Sequence, residues 1–298
     1  MMTGGLTMRR AALAAELAVL GVALVWGASY PVAKGALAHM PVLALVFWRF
    51  ALTAAVMGWI ARRELAAAAR ADLRAGAALG AILGAILLAE TAGVGLTSAG
   101  NAALVISLCT IFTPVLDFGL RGRLPPRGVL AGGLAAVAGV AVLSGAAGAL
   151  GPGDLLVLLA AGLRAVMVVA TARVMAGRAL GPAALTAVQA ATVAAIALGL
   201  ILGHAGPAGL SPGTAPGGWA AIAFLSLFCT IAAFYVQNAA LRRSNPTRVA
   251  FLMGTEPLFG LALAAAIMAE PVTAATLAGA ALIVGGTFLG LAAERGRR

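Results

Sequence analysis

Charge is what this chain has least of. Only 10% of its 298 residues are Asp, Glu, Lys or Arg, whereas an average soluble domain carries about 25%. With 62% of the residues hydrophobic, a water-soluble fold of this length could not hide its apolar surface, so an integral membrane protein is expected. Histidine is confined to His39 and His204, both near the outer ends of apolar stretches, which excludes a histidine proton relay in the core. Cys109 and Cys229 lie inside apolar stretches and read as small buried side chains rather than as a disulfide or metal pair. There is no His-Glu-x-x-His zinc pair and no Walker A loop, so neither zinc chemistry nor ATP-driven pumping by this chain alone is expected. A Gly-x-Ser-x-Gly nucleophile elbow is not expected either. The chain is therefore read as a non-enzyme with no cofactor and no metal.

What the sequence has instead is long apolar runs. Ten are expected to cross the membrane as helices, at roughly 17–38, 42–60, 74–96, 99–119, 128–146, 154–173, 182–203, 217–240, 247–268 and 273–292. They are called segments one to ten below. The runs are too long and uniform for barrel strands. Arg9-Arg10, an apolar run and Ala36-Leu37-Ala38 have the outline of a secretion signal, but more membrane follows, so segment one is read as uncleaved. The net charge of +11 is scattered between the runs and sets orientation rather than nucleic-acid binding. If the N-terminus is cytoplasmic, seventeen of the twenty cations fall in inside segments. This bias places both termini in the cytoplasm.

The chain also repeats itself. Ser244-Asn245-Pro246-Thr247-Arg248 is echoed 147 positions earlier by Thr97-Ser98-Ala99-Gly100-Asn101, and the register continues with Gly132 over Gly279 and Gly139 over Gly286. Two units are expected, residues 1–147 and 148–298, separated by the Gly/Pro-rich outer loop. Five segments per unit is an odd number, so the halves must be inverted relative to each other, with a substrate site near the midplane between them. The four-spaced glycines Gly76/Gly80/Gly84, Gly128/Gly132 and Gly286/Gly290 are read as helix-packing positions.

Segment one carries Trp26-Gly27-Ala28-Ser29-Tyr30-Pro31, segment two Phe47-Trp48-Arg49-Phe50, segment eight ends in Ala239-Ala240-Leu241, and Glu256-Pro257 is followed by Ala269-Glu270-Pro271. In this order, on ten segments in two halves, the set resembles the EamA-type branch of the drug/metabolite transporter superfamily, and most of all its bacterial amino-acid exporters. The resemblance covers nearly the whole chain. It implies a secondary carrier in the bacterial inner membrane that moves small metabolites outward by alternating access, a monomer being sufficient. Two positions of the first half depart from the family pattern, Thr110 replacing a usual proline and Arg123 a usual Glu.

A charge near the bilayer centre is costly and marks function by default. Arg49, Arg164 and Glu256 lie near the middle of segments two, six and nine, and Glu90 in the outer half of segment three. Two cations and two anions suit a zwitterion such as an amino acid; the alternative is mutual pairing that holds helices together. If transport is proton-coupled, Glu90 or Glu256 must carry the proton. Pro31, Pro114 and Pro257 interrupt segments one, four and nine, each freeing a carbonyl one turn earlier, and are candidates for kinks or gates. Trp26, Tyr30, Asn101, Ser107, Thr110, Phe234, Tyr235, Gln237 and Asn238 are candidates for lining a small-molecule cavity. Asp117 is expected to pair locally with Arg121, Lys34 to snorkel outward, and Trp48, Trp59 and Trp219 to anchor at the interface.

Overall fold

The structure, a computed structural model, describes residues 2–97, 102, 105–144, 151–211, 213, 216–259, 262–263 and 273–295, without the side chains of 2–13, 30, 143–144, 243, 276 and 295. Among the described residues every regular element is helical, as hydrocarbon demands of a chain that must satisfy its own backbone. Seven helices are long and apolar enough to cross a membrane: Ala14–Leu37, Val42–Ile60, Arg70–Leu96, Pro152–Val174, Pro182–His204, Pro216–Arg242 and Leu277–Glu294. They correspond to segments one, two, three, six, seven, eight and ten. Segments four and five are shorter apolar helices, Val105–Gly119 and Arg127–Val142. Segment nine begins as Pro246–Met253, and its far half lies outside the described residues. The result is a multi-pass membrane protein.

The helix starts follow local chemistry. Pro152, Pro182 and Pro246 occupy first-turn positions, where a missing N–H costs nothing. Asn245 caps segment nine, its Oδ1 accepting from the Arg248 backbone N–H at 2.8 Å. Asp154 accepts the Gly151 N–H at 2.9 Å, placing a carboxylate at the positive end of segment six.

Glycine sets which helices touch. A Cβ on Gly80 would lie 2.7 Å from Thr192 Cβ, and Gly76 and Gly84 face Val188 and Ile196, so the ridge on segment three seats segment seven. Segments five and ten cross even more closely. A Cβ on Gly132 would meet the Gly286 carbonyl, and one on Gly139 would lie 2.6 Å from the Gly279 carbonyl. Under the 147-residue offset Gly132 corresponds to Gly279 and Gly139 to Gly286. Each glycine thus contacts the counterpart of the other, the reciprocal pattern that a two-fold axis between antiparallel helices generates.

Several helices are interrupted. Segment one turns at Ala28, between Met2–Gly27 and Ser29–Leu37. Segment four turns at Leu108, and segment nine at Gly254–Thr255 before resuming at Glu256. Adding the 147-residue offset to Leu108 gives Thr255, so the two repeats break at matching places. In segment eight, Leu227–Ala232 winds as a π-helix, a departure that gathers at functional sites. Pro31 and Pro257 follow breaks by two or three residues. Pro114 does not: it sits inside the continuous helix Cys109–Gly119, and the break in segment four lies ahead of it at Leu108.

The two ends of the bundle are tied differently. At the cation-rich end, Arg173 bonds Asp117 at 3.2 Å, Arg178 bonds Asp72 at 2.8 Å, and Arg248 bonds Glu16 and, at 3.7 Å, Glu294. The expected Asp117–Arg121 pair is present at 3.2 Å. At the opposite end, among the described residues, Thr97 donates to Asp154 at 2.6 Å, Trp48 to the Leu210 carbonyl at 2.7 Å, and Lys34 to the Thr97 carbonyl at 2.8 Å.

Candidate functional site: a charged cavity at the helix breaks

The breaks in segments four and nine lie against each other: a Cβ on Gly254 would sit 2.6 Å from Thr110 Oγ1. Around this crossing are two small cavities. The larger, about 40 Å³, is lined by Trp26, Ser29, Arg49, Glu90, Arg164, Phe234, Gln237, Glu256 and an aliphatic wall from segments three and six. The smaller, about 10 Å³, lies at the breaks themselves beside Ser107, Cys109, Gly254 and Pro257, and shares Arg164 and Glu256 with the first. A water needs about 10–15 Å³ by this measure. The larger cavity therefore has room for a few waters and is too small, as it stands, for a metabolite.

Arg164 is the hub. Its Nη2 donates to both oxygens of Glu90, at 3.0 and 3.1 Å, and its Nη1 reaches Glu256 at 3.5 Å. The indole of Trp26 covers it, with the guanidinium carbon 5.0 Å from the ring centroid. Side-chain exposures of 15% for Arg164, 12% for Glu90 and 6% for Glu256 put the cluster largely out of solvent, where removing one partner leaves an uncompensated charge. One cation between two carboxylates has a formal charge of −1.

Arg49 is placed differently. Its Nε donates to Thr230 Oγ1 at 2.6 Å and its Nη2 to the Cys229 carbonyl at 3.3 Å, both within the π-helical stretch. The same Cys229 carbonyl accepts the Trp26 indole N–H at 2.8 Å. Phe234 packs against Trp26, ring centroids 5.5 Å apart, and completes an aromatic wall.

Of the candidate residues, Trp26, Arg49, Glu90, Arg164, Gln237 and Glu256 are brought together on the larger cavity. Ser107 faces the smaller one, and Thr110 is buried at the crossing of the breaks. Tyr235 is a correction: it is 45% exposed and does not line the cavity, because Phe234 and Gln237, three residues apart, take the inner face and turn Tyr235 outward. Asn238 also turns away, donating to Gln189 and Thr186 of segment seven at 3.0 Å each. The side chain of Tyr30, and Asn101, Glu270 and Pro271, lie outside the described residues. Ser29, Met167 and Val168 line the cavity without having been expected. Ser29 could have been found from its place three residues after Trp26, whereas nothing in the sequence singles out the other two. The roles of Thr230 and the Cys229 carbonyl had no sequence signal, since a π turn cannot be read from hydropathy.

Two expectations of absence meet particular residues. Gly209-Leu210-Ser211-Pro212-Gly213 does spell Gly-x-Ser-x-Gly, contrary to expectation. Its first two residues close a short 3-10 turn, Pro207–Leu210, in the loop after segment seven, and among the described residues no strand precedes it, as the strand-to-helix turn of a nucleophile elbow requires. Cys109 and Cys229 are both buried and unbridged.

A bundle of membrane-spanning helices, broken at matching positions of two repeats around a charged interior cavity, has the build of a small-molecule carrier. The sequence profile of the EamA-like transporter family matches residues 13–145 and again 151–291. The chain therefore belongs to that family, within the drug/metabolite transporter superfamily. The fold is similar to that of a protein of known crystal structure, with a TM-score of 0.77 and 22% identity over 96% of this chain and 99% of the other. At that identity the likeness is one of fold. No curated protein matches the sequence.

Proposed function

We propose that this transporter is a secondary carrier that exports small metabolites, amino acids foremost, across a bacterial inner membrane by alternating access. The observation that carries this reading is the Arg164–Glu90–Glu256 cluster with Arg49 on one cavity at the helix breaks. Two guanidinium groups and two carboxylates sum to zero, which matches a zwitterion better than a cation or an anion. Glu90 comes from the first repeat and Arg164 and Glu256 from the second. A substrate competing for these groups therefore loosens the contact between the units, taken as 1–147 and 148–298.

Alternating access fits the dimensions. The cavity must widen to admit an amino acid, and links at both ends of the bundle close it. One set of end links must open at a time. The antiparallel glycine crossing of segments five and ten supports inverted repeats, with both termini on the cation-rich, cytoplasmic side. Glu90 or Glu256 is the candidate to carry a proton if export is proton-coupled. A monomer contains the whole site.

Counterflow in proteoliposomes tests the reading. Vesicles loaded with unlabelled amino acids are given trace labelled amino acids outside, with no ion gradient. Saturable accumulation that vanishes when the amino-acid gradient is collapsed is the expected result. A folded protein that accumulates no amino acid but exchanges nucleosides, sugars or cationic compounds would overturn the substrate and leave the carrier class standing.

A further inference from the structure

The two arginines on the cavity have unequal commitments. Arg164 is held by two carboxylates. Among the described residues Arg49 donates hydrogen bonds only to neutral acceptors, the Thr230 hydroxyl and the Cys229 carbonyl, and its guanidinium carbon lies 5.4 Å from the Phe50 ring centroid. Among the described residues no carboxylate forms an ion pair with Arg49, and its Nη1 has no hydrogen-bond partner. Neutral acceptors orient a guanidinium without neutralising it. The planar fork then remains able to receive a carboxylate through two parallel N–H donors.

The orientation is set by segment eight. The Thr230 hydroxyl donates its proton to the Leu225 carbonyl at 2.8 Å, five residues back across the π turn. Its lone pairs are thereby left to accept Nε of Arg49. The Cys229 carbonyl ties Arg49 and the Trp26 indole to one atom. On the other side, the Arg49 backbone carbonyl accepts from Thr53 at 2.9 Å and from Ser226 at 3.1 Å. The guanidinium is thus held against segment eight, and Arg49 lines the cavity together with Glu90, Arg164 and Glu256.

We propose that Arg49, rather than Arg164, reads the substrate's carboxylate, and that the π turn of segment eight is the specificity element that holds it in place. This rests on the amino-acid carrier reading and adds the division of labour. The substrate ammonium goes to the carboxylate-rich cluster around Arg164, whose formal charge is −1, and the carboxylate to Arg49, which makes no ion pair among the described residues. A compound with the same side chain but an amide or a hydrogen in place of the carboxylate leaves Arg49 without its counter-charge.

The test uses the full-length protein in proteoliposomes and three probes with one side chain: an amino acid, its amide and its decarboxylated amine. The wild type is expected to favour the acid by on the order of tenfold or more, the scale of a charge-assisted bond. Arg49→Gln should abolish that preference and raise the amine relative to the acid, a gain that a merely damaged protein does not show. Thr230→Val keeps the charge but removes the Nε acceptor. It should raise the half-saturation concentration for the acid by a few-fold and leave the amine nearly unchanged.

Retention of the acid preference by a folded Arg49→Gln protein overturns the proposal. If Arg49→Gln does not fold, as judged by thermal unfolding in detergent, an unchanged acid-to-amine ratio in Thr230→Val overturns it instead. Equal transport of all three probes by the wild type also overturns it, with the carrier reading intact. Transport of none of them removes the amino-acid reading and this proposal together.

Discussion

The two repeats share their breaks but not their chemistry. Leu108 and Thr255 interrupt segments four and nine at corresponding places, yet the next residue is Cys109 in one and Glu256 in the other. The same offset carries Glu90 of segment three onto Gln237 of segment eight, and both line the larger cavity. Each pair of related positions thus holds one carboxylate and one uncharged side chain. A pseudo-symmetric scaffold gives a carrier two comparable ways to open. An asymmetric set of side chains lets it hold a ligand whose two ends differ. The corresponding glycines Gly132/Gly279 and Gly139/Gly286 keep the symmetry because they serve only packing.

The largest expected effect comes from removing the group that joins the two halves' carboxylates. Arg164→Gln leaves Glu90 and Glu256 buried without their cation and should destabilise the protein by about 3–5 kcal/mol, read as a lower midpoint of thermal unfolding in detergent. An unchanged midpoint would show that the cluster is solvated and would weaken its place at the centre of the site.

Next comes the exchange of chemistry between related positions. Glu256→Gln should lower counterflow by roughly tenfold or more, the scale of one lost charge-assisted bond. Cys109→Ser should change it by less than about twofold, since it alters no charge and little volume. Equal losses in both would mean that the break, and not the carboxylate, is what matters.

The packing symmetry gives a third comparison. Gly132→Val and Gly286→Val attack one contact from its two sides, since a Cβ on either would lie 2.5 Å from the other's carbonyl, and should each cost about 1–3 kcal/mol by overpacking. Gly162→Ala, where an added Cβ meets nothing within 4 Å, should stay within roughly 0.5 kcal/mol of wild type. Unequal costs for the two valines would show that the crossing relaxes on one side only. Apart from the Gly162→Ala control, the smallest effect is at the start of segment nine. Asn245→Ala removes the bond from the Arg248 N–H and should cost about 1 kcal/mol, detectable as a small shift in the same unfolding midpoint.

Hydropathy determined that this is an all-helical membrane protein, and the 147-residue echo that it has two similar halves, because apolar length and residue spacing are properties of the chain before it folds. The four intramembrane charges were legible for the same reason: Arg49, Glu90, Arg164 and Glu256 each interrupt an otherwise apolar run. The pairing was not legible. That Glu90 and Glu256 share Arg164 depends on three helices distant in sequence meeting at one point. That Phe234 and not Tyr235 faces inward depends on the helical register past a π turn that no local pattern announces. Helix breaks lie just ahead of Pro31 and Pro257, whereas Pro114 sits within a continuous helix, since a proline frees one carbonyl but the packing around it decides whether the helix breaks there. Composition determined the solvent, and the spacing of matching residues determined the repeat. Tertiary contact alone decided which charges are neutralised and which side chain is left to meet a ligand, because both depend on distances across the bundle that are absent from a linear sequence.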